Sequence, residues 1–295
     1  MSRRNTFEGA RCLVTGASSG LGEALTRQLV GEGARVVMVA RSRGRLERIA
    51  WDLVEHGARP EAVIPVAADV TVPIDRRIAL ETAAERLGEA LDLVVNGAGV
   101  GAYGRFESHD ESVLRMVFEV NFFAAAEICR SALPLLRKGD RPALVNIGSV
   151  DARRALPGRP EYSASKSALA ALSDALRAEW ATDGISVLLV NPGFTATAFE
   201  KNLIANTAND STKPQRGMKA DHVAQETLSA LRRGDHELTL TGRGRLFLIS
   251  NRLAPRVVDW GLGRWTRRLY ADADALAKVE SETPPTPRPP AGPRP

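Results

Sequence analysis

Cysteine is nearly absent: Cys12 and Cys129 are the two in 295 residues, which excludes a disulfide framework. Both sit among apolar neighbours and are expected as small buried side chains in a reducing compartment. Histidine is scarce too. His56, His109, His222 and His236 are scattered without metal-ligand spacing, so no metal site is expected. No run approaches the ~18 apolar residues of a membrane-spanning helix. The first eight residues, Met1 to Glu8, lack the apolar stretch of a signal peptide. A cytoplasmic protein is the expectation. Neither sign of charge dominates, the net value being +5, but the charge is unevenly distributed. What remains is an ordinary globular composition, 44% hydrophobic and 25% charged.

Short β-branched runs alternate with helical periodicity. Strands are predicted at residues 11–15, 36–40, 62–66, 91–96, 143–147, 185–190 and 237–241. Helices are predicted at 20–32, 42–56, 74–90, 161–183 and 220–232, with two more inside 110–137. Continuous apolar strands between helices indicate an α/β fold, a doubly wound parallel sheet of about seven strands with helices on both faces. The pattern breaks near residue 243. Residues 1–242 are therefore read as one catalytic domain, 243–279 as an Arg-rich amphipathic helical extension, and 280–295 as a Pro-rich disordered tail.

Two motifs carry chemistry. The first is the turn Thr15-Gly16-Ala17-Ser18-Ser19-Gly20-Leu21-Gly22 between the first strand and first helix. Glycine permits positive φ and close backbone approach, and the helix start offers free N–H groups to a phosphate. A dinucleotide pyrophosphate is the expected guest. The second is Tyr162 and Lys166. At i and i+4 they share a helix face, so an ammonium lies beside a phenol and is expected to lower its pKa.

Together these motifs resemble the short-chain dehydrogenase/reductase family over most of residues 8–242. Asp69-Val70 resembles the adenine-contacting pair of that family. Asn96-Gly97-Ala98-Gly99 resembles its Asn-Asn-Ala-Gly motif, with a departure at Gly97 that removes a side chain bracing the central sheet. Asn121 falls where the family has its catalytic Asn. Ser149 ends the fifth strand thirteen residues before Tyr162. Pro192-Gly193-Phe194-Thr195-Ala196-Thr197 matches the Pro-Gly motif after the sixth strand. The resemblance implies a Rossmann-type fold and an oxidoreductase that reversibly reduces a ketone or aldehyde by hydride transfer. Tyr162 would protonate the developing alkoxide. Lys166 would tune Tyr162 and hold the ribose hydroxyls, Ser149 would bind the carbonyl oxygen, and Asn121 would hold a water linking Lys166 to solvent. The nucleotide set implied is Gly16, Ser18, Ser19, Gly20, Leu21, Gly22, Asp69, Val70, Asn96, Ala98, Gly99, Tyr162, Lys166, Pro192, Gly193, Thr195 and Thr197.

Nucleotide choice rests on another absence. The second strand ends Val39-Ala40-Arg41-Ser42-Arg43 with no acid to take a ribose 2′-hydroxyl. Arg41 suits a 2′-phosphate, so NADP(H) is expected. Val100, Tyr103, Phe106, Arg153, Arg154 and Leu156 are candidate pocket residues, and 199–217 a covering loop.

The segment 243–270 carries seven arginines against one acid, Asp259, interleaved with apolar residues. Leu246, Ile249, Leu253, Val257 and Trp260 recur at helical steps, while Pro255, Gly261 and Gly263 predict two shorter helices. The segment is expected to pack on the catalytic domain or a second subunit. The alternative is an interfacial helix on a membrane surface, with a lipid-like keto substrate. Nucleic acid is not expected as a partner, a small-molecule carbonyl or alcohol is, and so is a homo-oligomer. A non-catalytic NADPH-binding sensor or scaffold is a further alternative, against which the intact Asn121, Ser149, Tyr162 and Lys166 set stands.

Overall fold

The computed structural model describes residues 6–196, 199, 202–207 and 217–282. In chain order the strands are β1 (Arg11–Thr15), β2 (Arg35–Ala40), β3 (Val63–Ala67), β4 (Leu93–Asn96), β5 (Gly101–Tyr103), β6 (Ala143–Ile147), β7 (Ser186–Asn191), β8 (Thr195–Ala196), β9 (Leu203–Asn206), β10 (Met218–Lys219) and β11 (Glu237–Thr239). The α-helices are α1 (Gly20–Gly31), α2 (Arg43–Glu55), α3 (Pro73–Leu87), α4 (Glu111–Phe118), α5 (Ala124–Leu136), α6 (Pro160–Glu179), α7 (Ala220–Arg233), α8 (Gly242–Leu253) and α9 (Pro255–Glu282).

Seven strands form one parallel sheet in the order β11-β7-β6-β4-β1-β2-β3. The five inner strands are buried on both faces, which is why they read as unbroken apolar runs rather than alternations. Side-chain parity then assigns the faces. Cys12, Val14, Val36 and Met38 point to one layer with Leu25 and Leu29 of α1, Leu46 of α2 and Leu228 of α7. Leu13, Val37, Val94 and Leu144 point to the other, with Leu80 of α3 and Ile128 and Leu136 of α5. Both cysteines are buried in these layers, and burial pushes the Cys129 thiol up to about 12.

Two helical predictions change in detail. The two helices expected within 110–137 are one helical run, α4 and α5, joined by a π-helical turn at Glu119–Phe123. The C-terminal break does occur at Pro255, whose ring is suited to the first turn of a helix and which opens α9. Gly261 and Gly263 do not break α9. Nothing lies within 4 Å of a Cβ built on either, so no close packing requires glycine there and each costs ~1 kcal/mol of helix propensity. That helix continues to Glu282, past the expected boundary at 280.

Candidate active site

From β1 the sheet extends through β2 and β3 on one side and through β4, β6, β7 and β11 on the other. Such a reversal leaves a crevice at the strands' carboxyl ends, and a cavity of about 1210 Å³ opens there. Gly16 (φ +70°) and Gly20 (φ +58°) hold left-handed conformations in the β1–α1 turn. A Cβ on Gly16 would lie 2.8 Å from the Ala98 nitrogen, and one on Gly22 2.3 Å from the Gly16 carbonyl oxygen. These glycines let the turn close onto β4 and onto its own helix. Ser19 caps α1 without a side-chain bond to it, so the first N–H groups of the helix keep their capacity for an anion. Gly16, Ser18, Ser19, Gly20, Leu21 and Gly22 all border the cavity. The backbone cradle and its free donors fit a pyrophosphate.

Arg41 borders the same cavity, as does Arg45, which sequence reasoning missed. The available signal was the first turn of α2, which is basic and has no acid. Arg43 instead lies 3.9 Å from Glu47 in an exposed pair. Asp69 and Val70 border the cavity. The Asp69 carboxylate accepts from the Thr71 N–H (2.9 Å) and hydroxyl (2.8 Å), which fixes this turn. Ala98, Gly99, Pro192, Gly193 and Thr195 border it as well. Thr197 lies outside the described residues.

Asn96 is the exception. It does not border the cavity but points into the interior, donating to Asn146 Oδ1 (2.9 Å) and Cys129 Sγ (3.2 Å). The departure at Gly97 has a physical counterpart: a Cβ there would stand 2.7 Å from the Thr15 carbonyl oxygen. The Thr15 hydroxyl instead accepts from the Gly97 and Ala98 N–H groups at 3.1 and 3.3 Å. Bracing of the sheet falls to the Asn96–Asn146 pair and to Thr15.

Four predicted catalytic residues converge beyond this cradle. The π turn carries Asn121, whose amide accepts from the Val100 N–H (2.9 Å) and commits both of its donors, to the Val100 carbonyl (3.0 Å) and Ser165 Oγ (3.0 Å). Gly99 keeps open the space between Asn121 and Lys166, since a Cβ on it would be 3.4 Å from Asn121 Oδ1 and 3.6 Å from Lys166 Nζ. Ser149 follows β6, accepts from the Asp151 N–H at 3.1 Å, and lines the cavity together with Tyr162. Lys166 donates to the Ile147 carbonyl at 2.7 Å and lies 5.8 Å from the Tyr162 ring centre.

The electrostatics reverse one expectation. Burial, followed by the Asp151 carboxylate, pushes the Tyr162 phenol above its ordinary value, with Ser149 and Arg159 opposing. Burial also lowers the Lys166 pKa, to about 8, which leaves its ammonium in place below that pH. Tyr162 thus rests in its protonated form.

On the substrate side Val100, Tyr103 and Leu156 border the cavity, whereas Phe106, Arg153 and Arg154 do not. Phe106 is exposed. Arg153 is held by Asp174 (3.1 Å) and Glu237 (2.8 Å), and Arg154 pairs with Asp259 of α9. Sequence reasoning missed Asp151 and Arg159, which border the cavity 3.3 Å apart, with the Arg159 guanidinium 5.4 Å from the Tyr103 ring centre. Desolvation raises the Asp151 carboxyl. It missed Trp265 and Arg268 too, which bring α9 to the cavity rim. The buried side chains of His109 and Glu161 meet at 3.0 Å, and Arg105 stacks on Tyr270 of α9 at 4.4 Å.

Comparison with known proteins agrees with this architecture. The family model described as short chain dehydrogenase matches residues 10–208. A "Dehydrogenase/reductase SDR family protein 7-like" of Anopheles gambiae is 32% identical over 262 residues, 86% of this chain and 78% of the relative. A short chain dehydrogenase from Burkholderia cenocepacia J2315, solved in complex with NADP, superposes with TM-score 0.72 at 27% identity, covering 87% of this chain and 98% of that one. A 3-ketoacyl-(acyl-carrier-protein) reductase from Brucella melitensis, solved with NADH, superposes with TM-score 0.70 at 27% identity, covering 80% and 98%. Neighbours thus hold either nicotinamide dinucleotide, on the fold whose crevice and helix start are seen here. With two thirds of its length matched by the family model and a relative aligned over most of both chains, this protein belongs to the short-chain dehydrogenase/reductase family of oxidoreductases.

Proposed function

We propose that this chain is an NADPH-dependent carbonyl reductase, working reversibly on a ketone or aldehyde, with Tyr162 as proton donor. The observation that carries the reading is the convergence of Ser149, Tyr162 and Lys166 on one cavity, with Lys166 Nζ 5.8 Å from the Tyr162 ring centre, where that cavity also reaches the first turn of α1. A bound reduced nicotinamide would supply the hydride. Every other requirement falls to side chains of this protein. A phenol held protonated by burial is the form that can donate to an alkoxide oxygen. Ser149 spends an acceptor position on the Asp151 N–H, which orients its hydroxyl for a carbonyl oxygen and holds that oxygen in reach of Tyr162. Lys166 uses one donor on Ile147 and has two left for ribose hydroxyls. The Asn121 amide, with both donors committed to Val100 and Ser165, supports the reading by fixing the π turn near Lys166, its oxygen keeping one acceptor position. Arg41 and Arg45, with no acid at the end of β2, support the phosphorylated dinucleotide.

The test is NADPH oxidation across carbonyls from small ketones to long-chain keto compounds, with Tyr162→Phe in parallel. Turnover by the wild type and a ~100-fold or larger loss of kcat in the variant, at unchanged NADPH affinity, are expected. Equal rates in the two proteins would refute the role of Tyr162.

A further inference from the structure

Six of the fourteen exposed large hydrophobic side chains among the described residues lie in α8 and α9: Leu246, Ile249, Leu253, Val257, Trp260 and Trp265. They are concentrated, not scattered, and such concentration marks a binding surface. Leu246, Ile249 and Leu253 succeed one another at i, i+3 and i+7 of α8, and Leu253 is 79% exposed. In α9 the steps 257, 260, 264 and 268 fall on one stripe, which begins with Val257 and Trp260 and ends at Arg268 on the cavity rim.

The opposite face of α9 is already used. Asp259 pairs with Arg154, and Tyr270 is buried under Arg105. The apolar stripe therefore faces outward because the helix is anchored by its other side. Arg252, Arg256, Arg264, Arg267 and Arg268 are exposed around the stripe, with Arg264 5.7 Å from the Trp260 ring centre. The one acid between Gly242 and Tyr270 is Asp259, and Arg154 neutralises it.

We infer that α8 and α9 form a docking surface for an anionic phospholipid membrane, on which the protein sits with the mouth of its cavity at the lipid boundary. Aliphatic side chains and Trp260 would enter the headgroup region while the arginines meet lipid phosphates and carboxylates. Charge selects this occupant over a second copy of the chain. A two-fold interface sets one patch against itself, and here it would oppose arginine with arginine. No helix among the described residues is long and apolar enough to span a bilayer, so attachment is peripheral and salt-sensitive. The inference goes beyond the proposed reductase activity and does not depend on turnover.

The experiment is co-sedimentation of the full chain with phosphatidylcholine vesicles and with vesicles containing about 30% phosphatidylserine, at low salt and at about 0.5 M salt. NADPH binding serves as the folding control, and light scattering reports oligomeric state. The wild type is expected to bind the anionic vesicles and to release them at high salt. A Leu253→Glu/Val257→Glu variant is expected to bind roughly tenfold or more weakly, with NADPH affinity unchanged. Arg256→Gln/Arg264→Gln, which leaves the apolar stripe intact, is expected to weaken binding comparably and serves if the first variant does not fold. Three outcomes would overturn the inference: a wild type that stays in the supernatant, binding indifferent to both variants, or a Leu253→Glu/Val257→Glu variant that merely drops to a smaller oligomer.

Discussion

Lys166 is buried and donates to the Ile147 carbonyl, and the missing solvation lowers its pKa from 10.5 to about 8. Its charge is therefore present below pH 8 and lost as the pH rises. Tyr162, shifted the other way by burial and Asp151, stays protonated across that range. For carbonyl reduction, kcat/KM is expected to hold up to about pH 8 and then fall up to tenfold per unit, because the free enzyme loses its ammonium before its phenol. A profile flat to pH 10 would show that the charge on Lys166 is not needed. The same burial disfavours the folded state wherever Lys166 is charged, and that penalty fades between pH 8 and 10.5. At the nucleotide end, Arg41→Ala/Arg45→Ala is expected to raise KM for NADPH ~10–100-fold and leave KM for NADH within about threefold, the range for charge-assisted bonds to one phosphate. Steady-state kinetics with both nucleotides decides it. Arg41 was legible in the sequence because an acid was missing beside it. Arg45 was not, because four residues along a helix it reads as one more solvated cation.

Strands were the easiest elements to read, since a parallel sheet covered on both faces demands unbroken apolar runs such as Val36-Val37-Met38-Val39-Ala40. Parity along a strand also held information that motif matching passed over. Asn96 lies two residues from Val94, so it shares the α5-facing side rather than the cavity side. The π turn at Glu119–Phe123 was not legible, because one extra residue in a helical turn barely disturbs a 3.6-residue pattern. Nor was the continuity of α9 through Gly261 and Gly263, where propensity argued for a break and the surrounding helix prevailed. The glycines allow a paired test of packing against propensity. Gly97→Ala drives a Cβ to within 2.7 Å of the Thr15 carbonyl and is expected to destabilise by ~1–3 kcal/mol. Gly44→Ala in α2 meets open space and is expected to stabilise by up to ~1 kcal/mol. Denaturant melts of the two variants should shift in opposite directions, and a shared sign would contradict the local geometry.

Across the molecule the cavity is shared between distant parts of the chain. One end is built by the loops after β1 and β2, close in sequence and rich in recognisable motifs. The other is closed by α9, whose anchors join Arg154 to Asp259, 105 residues apart, and Arg105 to Tyr270. No local pattern announces such pairings, which is why Trp265 and Arg268 were invisible as pocket residues while Gly16 and Arg41 were not. The division has a kinetic consequence. Trp265 borders the cavity from α9, whereas Arg41 borders it from the end of β2. Trp265→Ala is expected to raise KM for a bulky ketone ~10-fold or more through lost apolar contact, with the dissociation constant for NADPH unchanged. Arg41→Ala is expected to do the reverse. Because the two side chains share no hydrogen-bond or ion-pair partner among the described residues, their effects on kcat/KM should add in the double variant to within about 0.5 kcal/mol. Strong non-additivity would mean that nucleotide binding moves α9, and that the two ends of the cavity respond as one unit.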